Sequence, residues 1–145
     1  MTCRHKIVSC DKGNYAELTR IWERSVRATH DFLDEEAILE IKAALASDYF
    51  PNVDLYAVSH GGIPVGFIGL RSDMIEMLFV DSDSRGRGYG SALIDFAKQK
   101  GATRVDVNEQ NPAALAFYLS KGFSIAGRSS TDSAGRPYPL LHLSL

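Results

Sequence analysis

Three glycines stand at alternate positions in Arg85-Gly86-Arg87-Gly88-Tyr89-Gly90, where an apolar run from Met74 to Val80 gives way to a helical pattern. Each glycine costs about 1 kcal/mol relative to alanine inside a helix, so helix stability does not account for them. Close approach of the backbone to a ligand does, and amides exposed at a helix start favour an anion; an ordinary glycine-rich turn is the alternative. Two well-defined phosphate loops are excluded by their offsets. No Lys-Ser/Thr pair follows Gly88 or Gly90, and Ser91 and Leu93 stand where a dinucleotide fingerprint needs its third glycine. Glu76 is the charged position in the apolar run that precedes the loop. A carboxylate in such a strand is paired, protonated or facing a cavity, and desolvation raises its pKa toward the range useful to a base. A structural pair with Arg or Lys is the other role open to it.

What remains of the loop, Arg85-x-x-Gly88-x-Gly90, resembles the Arg/Gln-x-x-Gly-x-Gly/Ala loop of the GNAT superfamily, the acetyl-CoA-dependent N-acetyltransferases. A second stretch is similar as well: the family's run from Asn to Phe-Tyr and then Gly-Phe is matched by Asn111-Pro112-Ala113-Ala114-Leu115-Ala116-Phe117-Tyr118, then Gly122-Phe123. The resemblance covers most of the chain, strongest from Ile75 to Phe123 and weak before Leu55. It implies transfer of acetyl from acetyl-CoA to a primary amine of a small molecule or peptide, by direct attack on the thioester; no metal is expected, because His5, His30, His60 and His142 are scattered without ligand spacing. By the same resemblance, amides of Gly86, Arg87, Gly88, Tyr89, Gly90 and Ser91, in the loop opened by Arg85, hold the coenzyme A pyrophosphate. The backbone of Leu78, Phe79 and Val80 lies along the pantetheine arm, with the Leu78 amide as oxyanion donor. Asn111 is a pantetheine contact, and Tyr118 is the general acid for the departing thiolate. A phenol with a reference pKa near 10 is protonated at neutral pH, which suits that role. Packing on a helix face for Tyr118 and N-capping for Asn111 are the structural alternatives. Within this reading Glu76 is the base that deprotonates the amine, directly or through water.

His30, Asp31 and Phe32 fall between the first two helices, a region that borders the acceptor in the family. His30 there is a base, a substrate contact or a surface loop residue, and Phe32 a further acceptor contact. Asn108 and Glu109 after the fifth strand, and Tyr138 and His142 on the last strand, are further candidates to face the acetyl group or the acceptor, scaffold being the alternative for all four.

These residues must be positioned by elements that the pattern also shows. A short first strand covers Lys6 to Ser9. Leu18, Ile21, Trp22 and Val26 recur at helical spacing within about Asn14 to Thr29, and Asp34 caps a second helix carrying Ile38, Ile41, Ala44 and Leu45. Leu55 to His60 and Pro64 to Leu70 form a hairpin around Gly61-Gly62. Met74 to Val80 reads as a central strand buried on both faces. A helix from the glycine loop to Lys100 buries Tyr89, Leu93, Phe96 and Ala97. Arg104 to Val107 is the fifth strand, and Asn111-Pro112 opens a helix to Lys121 that Gly122 ends. Phe123 to Arg128 and Tyr138 to Leu145 are the last strands, with Leu140, Leu141, Leu143 and Leu145 expected in the core. The order predicts a mixed α/β (α+β) architecture of the GNAT kind. It has a mostly antiparallel twisted sheet of seven strands, a parallel fourth and fifth strand, and four helices, in one domain spanning residues 1–145.

The 145 residues and 15.9 kDa suffice for one core, and a net charge of −2 provides no global field to draw nucleic acid or anionic lipid. No run of apolar residues is long enough for a membrane span and no leader is read, so a cytoplasmic location is expected. Cys3 and Cys10 are read as reduced bystanders. Two other functions fit the same fold: a non-catalytic acyl-CoA sensor, against which Tyr118 speaks, and a tRNA-acetylating toxin, against which the charge speaks. A homodimer is compatible with the family, and the acceptor is not named by any pattern in the chain.

Overall fold

The structure, a computed structural model, describes residues 5–29 and 32–145. Cys3, His30 and Asp31 therefore lie outside the described residues. Seven strands form one sheet: β1 (Ile7–Ser9), β2 (Asp54–His60), β3 (Ile63–Arg71), β4 (Met74–Val80), β5 (Arg104–Asn108), β6 (Ser124–Ser129) and β7 (Leu140–Ser144). Their order across it is β1-β2-β3-β4-β5-β7-β6. Every pairing is antiparallel except β4 with β5, as the strand–helix–strand connection requires. Four α-helices accompany it among the described residues: α1 (Tyr15–Thr29), α2 (Glu35–Ala44), α3 (Tyr89–Gln99) and α4 (Pro112–Ser120). After α2 the chain runs on through a π-helical turn (Leu45–Tyr49) and a 3-10 turn (Phe50–Asn52), which the sequence pattern did not reveal. No helix of the described residues is long and apolar enough to cross a membrane.

Local chemistry explains most boundaries. Asp34 caps α2 by accepting from the Ala37 amide at 2.7 Å. Gly61 and Gly62 turn the β2–β3 hairpin with φ of 59° and 80°, the sign a tight antiparallel hairpin needs. Asn111 and Pro112 open α4 in the expected cap and first-turn positions.

The sheet has a core on each face. One side packs Leu18, Ile21, Trp22 and Val26 of α1 and Ile38 of α2 against Leu55, Ala57 and Phe67. The other packs Leu93, Ile94 and Ala97 of α3 and Tyr118 of α4 against Ile68, Ile75, Val105, Val107 and Leu143. Of the expected leucine cluster on β7, Leu143 is buried, whereas Leu140 and Leu141 are half-buried and Leu145 is exposed. Tyr138 precedes β7 instead of lying on it.

β4 corrects the sequence reading in a way that matters for the site. Buried on both faces by expectation, it buries Ile75 and leaves Met77, Leu78, Phe79 and Val80 half-buried and Glu76 exposed. Two departures from regular pairing are responsible. The register against β3 jumps from Gly69↔Met77 to Leu70↔Ile75, so Glu76 is the extra residue of a β-bulge. Pairing with β5 stops after Met74↔Arg104 and Ile75↔Val105. The bulge changes the phase of the strand: Ile75, Leu78 and Val80 pack on the α3–α4 side, Met77 and Phe79 on the α1–α2 side. Strict alternation, which would place Glu76 with Leu78 and Val80, fails at this residue.

Candidate active site

Where β4 and β5 part, a cavity of about 490 Å³ opens. Ile75 to Val80 form one wall and Val105 to Asn108 the other, while the turn before α3 and the start of α4 close it. Along Leu78, Phe79 and Val80 the edge of β4 that faces β5 has no strand partner.

The glycine turn is shaped by its backbone. Gly86 and Gly88 have φ of 74° and 84°, which strain any residue with a Cβ. A Cβ on Gly86 would meet nothing within 4 Å, so conformation and not crowding calls for glycine there. Gly88 is the N-cap of α3 and has no side chain to satisfy the first-turn amides, which stay available to an outside acceptor. Gly90 differs. A Cβ there would lie 3.3 Å from Cζ of Phe117, so this glycine lets α3 and α4 come together. His5 lies against Tyr89, ring centroids 4.6 Å apart. Gly86, Gly88, Tyr89, Gly90, Ser91 and Arg85 all line the cavity; Arg87 is exposed and does not.

The turn is tied to α1 through charge. Asp81, at the end of β4, is buried and accepts from Arg24 Nε at 2.9 Å and Arg20 at 3.2 Å. Burial by itself pushes its carboxyl up, but the hydrogen bonds from Arg24 and the Asp83 amide, with the charges of Arg24 and Arg20, outweigh it and hold the carboxyl below its ordinary range. Arg24 also pairs with Asp83, and Arg85 donates to the Ser25 carbonyl at 3.4 Å.

On the far wall Tyr118 is 7% exposed and packed between Phe117 and Phe123, with centroids 5.3 and 5.7 Å away. Its ring is thus part of the core while the residue still lines the cavity. Burial raises its phenol above the ordinary value, so the hydroxyl carries its proton at any physiological pH. Asn111 also lines the cavity while its Oδ1 caps α4 on the Ala114 amide at 3.2 Å.

The acceptor-side expectations divide. Asn108 lines the cavity, its Oδ1 accepting from the Gln110 amide at 2.9 Å. Phe32 and Tyr138 meet each other, centroids 6.1 Å apart, but neither lines the main cavity; Tyr138 faces a smaller hollow of about 210 Å³ beside Glu36, Glu40 and Arg136. Glu76 lines the main cavity but is exposed, so the desolvation expected of it is absent. Among the described residues no group of three His, Cys, Asp or Glu side chains is arranged to hold a metal ion.

Residues not anticipated also line the cleft: Ser25 and Thr29 of α1, Asp106 of β5 and Phe117 of α4. Ser25 and Thr29 stand four apart on a helix whose apolar stripe is otherwise complete, a signal available in the sequence. Asp106 alternates with buried Val105 and Val107, which marks it as facing away from the α3–α4 core.

Comparison with known proteins agrees with this geometry. The profile of the Acetyltransferase (GNAT) domain family matches residues 51–125. The peptidyl-lysine N-acetyltransferase YjaB of Salmonella typhimurium is 45% identical over 130 residues, 88% of each chain. Among solved structures, the apo-form YjaB from Escherichia coli superimposes with a TM-score of 0.89 at 38% identity, over 98% of this chain and 97% of that one. The PaiA N-acetyltransferase from Thermoplasma acidophilum, solved in complex with coenzyme A, shares the fold, with a TM-score of 0.75 at 16% identity over 99% and 100% of the two chains.

Proposed function

The chain belongs to the GNAT family of acetyltransferases, and from that premise we propose that it moves acetyl from acetyl-CoA to the side-chain amine of a lysine in a peptide or protein. The acceptor follows the activity for which its YjaB relatives are named. The carrying observation is the cleft itself: an unpartnered strand edge that ends in a turn of positive-φ glycines capping a helix.

The residues present fit a long, anionic, strand-like donor. Helix-start amides at Tyr89 to Ser91, with those of the Gly86–Gly88 turn, suit a diphosphate. The Leu78–Val80 edge suits a chain carrying amides of its own, since unpaired strand groups seek partners. Acetyl-CoA supplies a thioester that an amine attacks directly. The Leu78 amide is proposed as donor to the carbonyl oxygen as it gains charge, and removing such a donor typically costs about 3 to 4 kcal/mol. Tyr118, buried and protonated, gives its proton to the leaving sulfur. Asn111 contacts the arm from the start of α4 while capping the helix.

Glu76 is exposed, so the burial on which a base role for it was expected is not there. We assign it the attraction of the cationic acceptor into the cleft. Coenzyme release from acetyl-CoA with a lysine peptide, compared with the same peptide carrying acetyl-lysine, tests the activity. A thermal shift with coenzyme A alone tests the donor site separately, and no shift would count against the cradle.

A further inference from the structure

Three side chains from three adjacent strands form a hydrogen-bonded line on the sheet face opposite the α3–α4 core. Asp106 on β5 stands opposite His142 on β7, and His142 stands opposite Gly127 on β6. His142 Nδ1 is 2.7 Å from Asp106 Oδ1, and its Nε2 is 2.6 Å from Ser129 Oγ. This line exists because β7 enters the sheet between β5 and β6.

The order resembles an acyl-transfer triad, but its ends are reversed. In such a triad the serine faces the reacting carbonyl; here Asp106 lines the cleft, while neither Ser129 nor His142 does. Nucleophilic chemistry at Ser129 is therefore unsupported, and the carboxylate is the working end. Oδ1 is engaged by His142, which leaves Oδ2 for a ligand. A neutral imidazole fits with Nδ1–H donating to Asp106, which as a carboxylate only accepts, and the Ser129 hydroxyl donating to Nε2, so Ser129 holds the ring in the orientation that meets the carboxylate. Asp106 is exposed, as Glu76 is, so the contact with His142 and not burial distinguishes the two carboxylates.

We propose that Asp106 is the catalytic base of the acetyl transfer and that His142 and Ser129 are its positioning residues, an assignment that rests on the acetyltransferase reading. The acceptor ammonium first gives one proton to water, leaving a neutral amine; as its nitrogen bonds to the thioester carbon a second N–H bond breaks, and that proton passes to Asp106 Oδ2. The carbon–sulfur bond breaks with its electron pair on sulfur, which takes the proton of Tyr118. Asp106 then loses its proton to water in the open cleft, and Tyr118 regains one from water. Asp106 is hydrogen-bonded to His142, and the strands that flank β7 also carry Arg104 on β5, Glu109 in the turn after it and Arg128 on β6. Arg104 is paired with Asp73 and Arg128 with Glu109, and the Arg104 charge is also felt by Asp106.

The test is acetyl transfer to a lysine peptide between pH 6 and pH 10, with the coenzyme A thermal shift as a check on folding and donor binding. Asp106→Asn should lower kcat about 100-fold or more, as loss of a general base does, with the thermal shift unchanged. His142→Ala should lower kcat about 10-fold. His142→Gln should recover much of that loss, because a neutral amide also donates to Asp106, while removing from the pH profile the ionisation an imidazole contributes. An Asp106→Asn enzyme with wild-type kcat, or a His142→Gln enzyme with the wild-type pH profile, overturns the assignment. If a His142 variant fails to fold, Ser129→Ala carries the same test, with a smaller drop in kcat and an altered acid limb expected and an unchanged profile counting against it. Wild-type protein that binds coenzyme A but never acetylates an amine would instead overturn the acetyltransferase reading on which this rests.

Discussion

Along the wall of the cleft proposed to hold the donor, the groups offered to a ligand belong to the main chain: the β4 edge from Leu78 to Val80 and the amides of the turn from Gly86 to Ser91. Along the acceptor wall they are side chains, Glu76, Asp106 and Asn108, supported by His142 and Ser129 from strands late in the chain. A site made of backbone depends on local conformation, so a short contiguous motif can specify it. A site made of side chains depends on which strands the topology sets next to each other. The donor wall therefore suits a constant ligand, and the acceptor wall is where specificity can vary without disturbing the fold.

The largest test of this division falls where a side chain serves the donor. Tyr118→Phe keeps the ring between Phe117 and Phe123 and removes only the hydroxyl; kcat should fall about 100-fold or more while the affinity for coenzyme A stays constant. The same variant has a signature in stability. The folded-state phenol is raised by burial, so above about pH 10 the unfolded chain loses its proton first. The stability that this difference provides is present below that pH and declines above it, and Tyr118→Phe should flatten the decline in alkaline melting curves.

Gly88→Asp comes next, placing bulk and like charge where the φ of 84° favours glycine. Coenzyme A affinity by calorimetry should drop about 100-fold, the added charge acting against the diphosphate. On the acceptor wall, Glu76→Gln should raise KM for a cationic peptide about 5-fold, leave KM for acetyl-CoA unchanged and lose its effect at high salt. Asp81→Asn addresses the anchor beneath the turn and should destabilise the fold by about 2 kcal/mol in urea, the scale of hydrogen bonds to a charged group. Because the folded carboxyl is held low, its contribution is present above the unfolded value near 3.9 and lost as pH falls through the folded one, so the deficit of the variant should vanish in strong acid. The smallest effect is expected of Arg87→Ala, less than about 3-fold on coenzyme A affinity, since an exposed guanidinium outside the lining is screened.

The same division explains what could be read from the sequence. The positive-φ glycines, the Asn111-Pro112 start of α4 and the order of strands and helices are local features, and each stands where the residues predicted. The bulge at Glu76 is not local in this sense: an alternating pattern does not show where one residue is skipped by the partner strand, and that skip made β4 read as fully buried. The insertion of β7 between β5 and β6 is likewise invisible to a pattern that reads consecutive strands as neighbours. His142 and Asp106, 36 positions apart, are joined only by that insertion. Phe32 and Tyr138 were expected at the acceptor and do come together, but away from the main cavity, with Tyr138 lining a separate hollow.

Backbone amide shifts on titration with coenzyme A test the central claim most directly, because they report on main-chain groups one by one and need no acceptor. The account predicts that the largest changes fall on Gly86 to Ser91 and on Leu78 to Val80, with the hollow beside Tyr138 silent. Binding that leaves those amides unmoved and perturbs the hollow instead would contradict it.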